Sequence, residues 1–367
     1  VARRGGGTVA GTGQQGRRRG QRAYIGSFTE AGGPGLTVAD VDTTTGALRP
    51  VFATDAVVNP SFLALSPAAD VLYAVSETAE GAAVAFSLAD PARPEPLGAP
   101  VSVRGASPTH LAPTGTHLLT ANYGSGSVSA LPVGPDGGLE APSAVLPHRG
   151  GGPVTDRQAG PHAHAVVPDP SGRWVLAVDL GTDSVWIHAL DPATGVPRPH
   201  GETPLRPGTG PRHLALHPRG DRAYVLNELE STVTVCRWDA SAGALEPVGE
   251  TPVVPEESPG GDTAAPNFPS APVVSPDGRF LWVANRGHDT IATLALDASG
   301  DVLGLRATVD CGGHWPRDLS AHPGGHLLYA ANERSGDVTW FTVEPDTGLP
   351  RRAGSITMPA ASCVVFA

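Results

Sequence analysis

GPRHLALHPRGDRAYVLNELESTVTVCRWD, residues 210–239, reads as three short β-strands in succession, yet it places Arg212 and Glu228 among residues that otherwise look like packing. Its opening, a proline followed by an apolar run and a second turn, recurs along the chain. Equivalent segments start at Asn59 (NPSFLALSP), Ser107 (SPTHLAPTG), Gly160 (GPHAHAVVPDPSG), Phe268 (FPSAPVVSPDG), Trp315 (WPRDLSAHPGG) and Met358 (MPAASCVVF). The lead prolines are Pro60, Pro108, Pro161, Pro211, Pro269, Pro316 and Pro359, seven copies at intervals of 43 to 58 residues. A period of this length marks a repeat architecture.

A second element follows each of the first six copies: LYAVSE, LLTANY, VLAVDL, AYVLNE, LWVANR and LYAANE. The chain ends at Ala367 before a seventh can form, and the missing piece stands at the other end as AYIGSF from Ala23. Alternating third elements run into turns such as DTTTG, DPATG and PDTG and then a fourth short strand. Four strands per unit, with one unit split between the termini, predict an all-β, seven-bladed β-propeller with one blade shared between N- and C-terminal strands. A ring must complete its last blade with its first strands, because an unpaired terminal edge is a liability. The propeller is expected over residues 23–367, preceded by a disordered Gly/Arg-rich tail over 1–22.

Composition removes several function classes. The chain has 367 residues and a formal charge of −11, and the segment after residue 22 carries 19 arginines against 36 acids, a net of −17. Nucleic-acid partners, which need a broad basic face, are not expected. All 25 basic residues are arginine, so lysine Schiff-base chemistry is excluded and an anion site must use guanidinium groups. Cys236, Cys311 and Cys363 are odd in number and lack CxxC spacing, which argues against a disulfide framework and for a reducing, cytoplasmic compartment. No run of apolar residues is long enough for a membrane helix, so no membrane partner is expected.

The first strand of each blade lines the central channel and the second returns antiparallel to it, so the start of one and the end of the other share a mouth. The residues after the lead prolines are Ser61, Thr109, His162, Arg212, Ser270, Arg317 and Ala360. Those closing the second strands are Phe28, Glu77, Tyr123, Leu180, Glu228, Arg286 and Glu333. Arg212 and Glu228 thus become neighbours across a hairpin. His162, Arg212, Glu228, Arg286, Arg317 and Glu333 gather on this ring, with His164 pointing the same way but deeper. The blander reading is that the Arg–Glu pairs only satisfy one another as partly buried ion pairs. A HxH pair also suits a metal, but no further well-placed ligand accompanies it, and no metal or cofactor is expected. His110 and His213 are expected to face the sheet packing, His217 and His322 to serve turns, and Trp174, Trp186, Trp238, Trp282 and Trp340 to pack between blades.

The strings RQAGPHAHAVVPDPSGRWVLAVDLGTDSV, GPRHLALHPRGDRAYVLNEL and NFPSAPVVSPDGRFLWVANRGHDT resemble the seven-bladed propeller lactonase family, over about residues 23–367. That family includes bacterial 6-phosphogluconolactonases and a fungal carboxymuconate lactonizing enzyme. The resemblance implies a site of one His, two Arg and one Glu, falling on His162 or His164, on Arg212, on Glu228 and on Arg286. It implies hydrolysis of a sugar lactone, 6-phospho-D-glucono-1,5-lactone first, a step of carbohydrate metabolism in the pentose phosphate pathway.

In that reading one of the two histidines takes a proton from water and Arg212 stabilises the oxyanion. Arg286, with Arg317 and Glu333 beside it, holds an anionic group of the substrate, and Glu228 orients Arg212 or shares the base role. The partner is a small anionic lactone; the sequence does not specify an oligomeric state. Two alternatives remain at this stage, a muconate-type cycloisomerase and a non-catalytic propeller that binds a partner.

Overall fold

Each Pro-led segment pairs antiparallel with the apolar run after it, as Pro211–Leu216 does with Arg222–Asn227. Thr232–Asp239 and Ala244–Pro252 then complete a four-stranded sheet in simple up-and-down order. Seven such sheets make up the molecule, and the chain is a seven-bladed β-propeller. The computed structural model describes residues 21–255 and 266–367, so the tail expected over 1–22 lies outside the described residues except for its last two. Arg22 already opens the first strand, Arg22–Ser27.

Closure follows the predicted split. Ala361–Phe366 is the innermost strand of the blade whose other three strands are Arg22–Ser27, Leu36–Val41 and Leu48–Thr54. Its register pairs Ala23 with Phe366, Tyr24 with Val365 and Ile25 with Val364. One blade departs from the pattern. Its fourth strand is broken into Glu95–Pro96 and Val101–Ser102 within DPARPEPLGAPVS, whose prolines lack the N–H groups a continuous ladder needs.

The second strand of each blade faces a neighbouring blade on both sides, which is why it reads as a nearly continuous apolar run: Leu327–Asn332 is buried throughout. The fourth strand borders solvent and is mostly exposed, as in Ala244–Pro252. Apolar contacts therefore run between blades, with Tyr224, Leu226 and Val235 packed on Leu281, Val283 and Leu294. Second-strand aromatics add a polar tie. Tyr24 donates to Pro91 O, Tyr73 to Gly137 O, Tyr224 to Gly300 O, Trp282 to Gly348 O and Tyr329 to Gly46 O, each reaching a turn of the adjacent blade. Gly46 can make that turn because its φ is +80° and a Cβ there would press on Trp340 and Leu327.

A further column serves the blades themselves. Asn122, Asn227, Asn285 and Asn332 are buried and donate their amides to hydroxyl or carboxylate oxygens of the third strand, such as Ser129, Thr234, Thr290 and Asp337. The fourth blade has Asp179 at this position, and its carboxylate accepts from the His162, Gly181 and Thr182 amides and pairs with buried His148 at 2.7 Å. Cys236, Cys311 and Cys363 are buried and unbridged, and burial pushes each thiol up to about 12.

The innermost strands share one irregularity that matters for function. Pairing breaks at the same step in six blades, skipping one residue between Pro108 and His110, Ala163 and Ala165, Pro211 and His213, Pro316 and Asp318, and Ala361 and Cys363, and two between Pro269 and Pro272. Such a β-bulge breaks the strict alternation of side chains and re-aims them. The bulged residues include Thr109, His164, Arg212, Ser270, Arg317 and Ser362.

Candidate active site

The bulges and the residues just beyond the second strands converge at one mouth of the channel. A cup of about 170 Å³ is lined by Glu77, Thr109, Tyr123, Arg157, His164, Arg212, Glu228, Arg286 and Arg317. The predicted set His164, Arg212, Glu228, Arg286 and Arg317 is therefore brought together from blades scattered over the chain, and Glu333 stands behind Arg317. His162 departs from the expected ring. The fourth blade's strand starts at Ala163, which pairs with Asp179 as Pro211 pairs with Asn227, so the bulge that corresponds to Arg212 is His164. His162 instead stacks on the Tyr123 ring at 4.4 Å and donates Nδ1–H to Tyr123 O. The last blade shows the same offset, with Ser362 rather than Ala360 at the bulge.

Glu228 is the hub. Its Oε2 lies 2.5 Å from Arg286 Nη2 and 3.1 Å from Arg212 Nε, and its Oε1 lies 2.5 Å from Arg157 Nη2. The Arg212 contact is an ion pair by distance, but its N–H is not aligned on the oxygen, and among the described residues Nε is a buried donor without a hydrogen-bond partner. Arg212 Nη1 donates to Ser270 O, and Arg286 Nε donates to Phe268 O. Burial alone would raise the Glu228 carboxyl, but Arg286, Arg212 and Arg157 together hold it down at about 2. It is a permanent carboxylate at neutral pH and a poor proton acceptor. Burial and then Arg286 push the Arg212 guanidinium down to about 9, and it stays cationic at neutral pH.

His164 is buried, with its Nδ1 unpartnered among the described residues. Burial, followed by Arg212, Arg317 and Arg286, holds its pKa well below 6.5. The imidazole is neutral at physiological pH and can accept a proton. Arg317 is differently placed. Its Nη1 lies 3.2 Å from Glu333 and its Nη2 3.4 Å from Glu77, while the guanidinium lies 4.7 Å over the Phe28 ring. Glu77 and Glu333 keep its pKa above the ordinary arginine value despite burial.

Below the cup the channel narrows to a waist of about 20 Å³ and opens at the far side into a cavity of about 350 Å³. The larger space has the less reactive walls. Phe62, Leu319, Val364 and Phe366 dominate it, with no arginine, and the polar groups are His110, His213, Ser320 and Asp318. His110 and His213 thus line the channel instead of the sheet packing, because the bulge lets consecutive residues Arg212 and His213 both reach it. Asp318 accepts from Ser320 Oγ and the Val364 amide, and burial raises its pKa. His217 and His322 serve turns as expected, accepting from the Arg219 and Gly324 amides. The tryptophans read as packing are in or beside the inter-blade clusters.

Arg157 and Trp315 were missed by the repeat columns. Arg157 lies in the loop ahead of the fourth blade and has no counterpart in the other repeats. Trp315 takes a left-handed backbone, φ +66°, and its indole lies under Arg286 at 5.6 Å and Arg334 at 3.4 Å.

Residues 22–366 match the family model described as lactonase, 7-bladed β-propeller. A 6-phosphogluconolactonase of Bacillus subtilis is 32% identical over 347 residues, 94% of this chain and 97% of the relative. A 6-phosphogluconolactonase of Formosa agariphila is 28% identical, over 89% of this chain and 93% of the relative. Among solved structures, the periplasmic gluconolactonase of Pseudomonas aeruginosa superposes with a TM-score of 0.86 at 29% identity, covering 94% of this chain and 98% of that one.

Proposed function

The chain belongs to the seven-bladed β-propeller lactonases, carboxylic ester hydrolases, and on that premise we propose that it opens 6-phospho-D-glucono-1,5-lactone to the acid in the arginine cup. The observation that carries this reading is the meeting of a neutral, buried imidazole with an arginine-rich wall in one small polar pocket. At about 170 Å³ the cup is below the usual range for drug-sized ligands, roughly 300–1,000 Å³, and suits a single polar ring.

His164 takes a proton from water as the water oxygen bonds to the lactone carbonyl carbon. Arg212 and Arg286 receive the charge that develops on the carbonyl oxygen, a stabilisation worth roughly 10²–10³-fold per well-placed donor. The tetrahedral species collapses by breaking the bond to the ring oxygen, which takes the proton back from His164 and becomes a hydroxyl. Glu228 positions the arginines and stays ionised throughout. Arg317, held between Glu77 and Glu333, forms a wall of the cup. Three unbridged thiols favour a reducing, cytoplasmic location, and among the described residues no helix is long and apolar enough to cross a membrane.

NMR assays of lactone opening and of muconate cyclisation, each corrected for the spontaneous rate, test the reaction. Lactone turnover is expected, with His164→Ala slowing it by roughly 10²–10⁴-fold. Because His164 loses its base form only well below pH 6.5, the acid limb of kcat/KM should lie below that value. Turnover of muconates alone, or an acid limb at or above 6.5, would contradict the assignment.

A further inference from the structure

The buried arginines are committed to the floor and wall of the cup. Arg317 serves two carboxylates, Arg286 serves Glu228 and Phe268 O, and Arg212 lies deep beside His164. Arg157 differs in depth. Its side chain is 31% exposed, against 6% for Arg212 and 8% for Arg286; its Nη2 is bonded to Glu228, the Tyr123 hydroxyl lies beside the guanidinium and the Phe268 ring lies 6.0 Å from it.

The loop that carries Arg157 is built rather than merely exposed. Val154 O accepts the amides of Arg157 and Gln158, closing a tight turn. Gln158 is buried and donates Nε2 to Leu180 O at 2.8 Å and to Asp183 Oδ1 at 2.7 Å, while its Oε1 accepts the Val154 amide. The same Asp183 carboxylate accepts the amides of Gly208 and Gly210, which lead into the strand that bears Arg212. One buried carboxylate therefore sets both arginines. From a loop between the third and fourth blades, Arg157 reaches Glu228 on the fifth, across the entrance of the blade that carries His164. Arg157 lines the more exposed side of the same cup in which His164 and Arg212 are buried.

We propose that Arg157 is the specificity-determining residue of the cup, taking the distal phosphate of the lactone through the exposed edge of its guanidinium while Nη2 stays on Glu228. Arg157, Arg212 and Arg286 against Glu228 leave two positive charges in excess, which matches the charge of a phosphate monoester near neutral pH. The assignment rests on the lactonase reading above and names the group within it that selects a phosphorylated over a plain sugar.

The test compares 6-phospho-D-glucono-1,5-lactone with D-glucono-1,5-lactone in the wild type, Arg157→Gln and Arg157→Lys. Arg157→Gln should lower kcat/KM for the phosphorylated substrate by roughly 10–100-fold, mostly through KM, and for the plain lactone by only a few-fold. Arg157→Lys, which keeps the charge, should recover part of the loss. Calorimetry with 6-phosphogluconate and gluconate gives a second readout independent of turnover, in which Arg157→Gln weakens the first and barely affects the second. Equal losses for both lactones would assign Arg157 to supporting Glu228 alone and overturn the proposal, as would no loss for either or no preference for 6-phosphogluconate in the wild type. If the wild type hydrolyses neither lactone but still binds 6-phosphogluconate through Arg157, the hydrolytic reading fails and the specificity assignment stands.

Discussion

The mouth of the channel carries two charge clusters of opposite stoichiometry. In one, three guanidiniums, Arg157, Arg212 and Arg286, share the single carboxylate of Glu228. In the other, the single guanidinium of Arg317 is shared by Glu77 and Glu333. Burial and mutual repulsion pull Arg212 and Arg286 below the ordinary arginine value, whereas Arg157 at the rim is held above it by Glu228, and Arg317 by Glu77 and Glu333. The first cluster is short of negative charge and attracts an anion; the second is already saturated. Identical residue types on successive blades thus divide into a cationic half, the reactive half in the proposed function, and a neutralised wall, and what separates them is the ratio of partners. This matters in a chain of net charge −11, whose overall field repels anions.

The largest effect is expected at the hub. Glu228→Gln leaves three guanidiniums without their shared counter-charge in a buried site, and breaking such a group costs about 3–5 kcal/mol. Chemical denaturation should show that loss, and kcat/KM should fall on the order of 100-fold as the arginines lose their positions. The stability gap carries its own signature. Since the Glu228 carboxyl titrates at about 2 in the fold against an ordinary 4.5, its contribution is complete above pH 4.5 and lost as the pH falls towards 2. The wild-type and variant curves should converge over that interval. A variant with unchanged stability would dissolve the distinction between the clusters.

Arg317→Met tests the other half and should do less. Glu77 and Glu333 are about one-fifth exposed, so water can take over part of the solvation that Arg317 supplied. A cost of about 1–3 kcal/mol and a fall in kcat/KM of less than roughly 10-fold are expected. A loss equal to that of Arg212→Met in the same assay would show that Arg317 holds substrate after all.

How much of this was readable beforehand differs between the ring and its details. The recurring prolines and the second strand displaced to the other terminus sufficed for the propeller and its closure. They also placed Arg212, Glu228 and Arg286 together, because in those blades the lead proline itself pairs with the buried Asn of the second strand, Pro211 with Asn227 and Pro269 with Asn285. In the fourth blade Pro161 stands two residues before the strand, and counting from it singled out His162. The buried Asn column was the better ruler. Pro211, Pro269 and Pro316 each lie sixteen positions before Asn227, Asn285 and Asn332, and sixteen positions before Asp179 is Ala163, which puts His164 on the bulge. Arg157 was out of reach of any such count, since it comes from a loop with no counterpart in the other blades and owes its place to Gln158 and Asp183.

The offset between the two histidines yields the smallest and most discriminating expectation. His162 and His164 both contact Tyr123, one on its face at 4.4 Å and the other at its edge at 5.5 Å, so proximity to the cup does not separate them. The bulge does, because it turns His164 into the channel and leaves His162 donating to a backbone carbonyl outside the cup. His162→Gln keeps a donor near that carbonyl and should change kcat/KM by no more than about 3-fold, with a stability change of about 1 kcal/mol. The same substitution at His164 should remove most of the turnover. If the two variants lose activity equally, the register of the fourth blade does not decide which imidazole takes the proton; if His162→Gln alone is inactive, the proton acceptor lies outside the cup and the reactive half of the mouth must be redrawn around Tyr123.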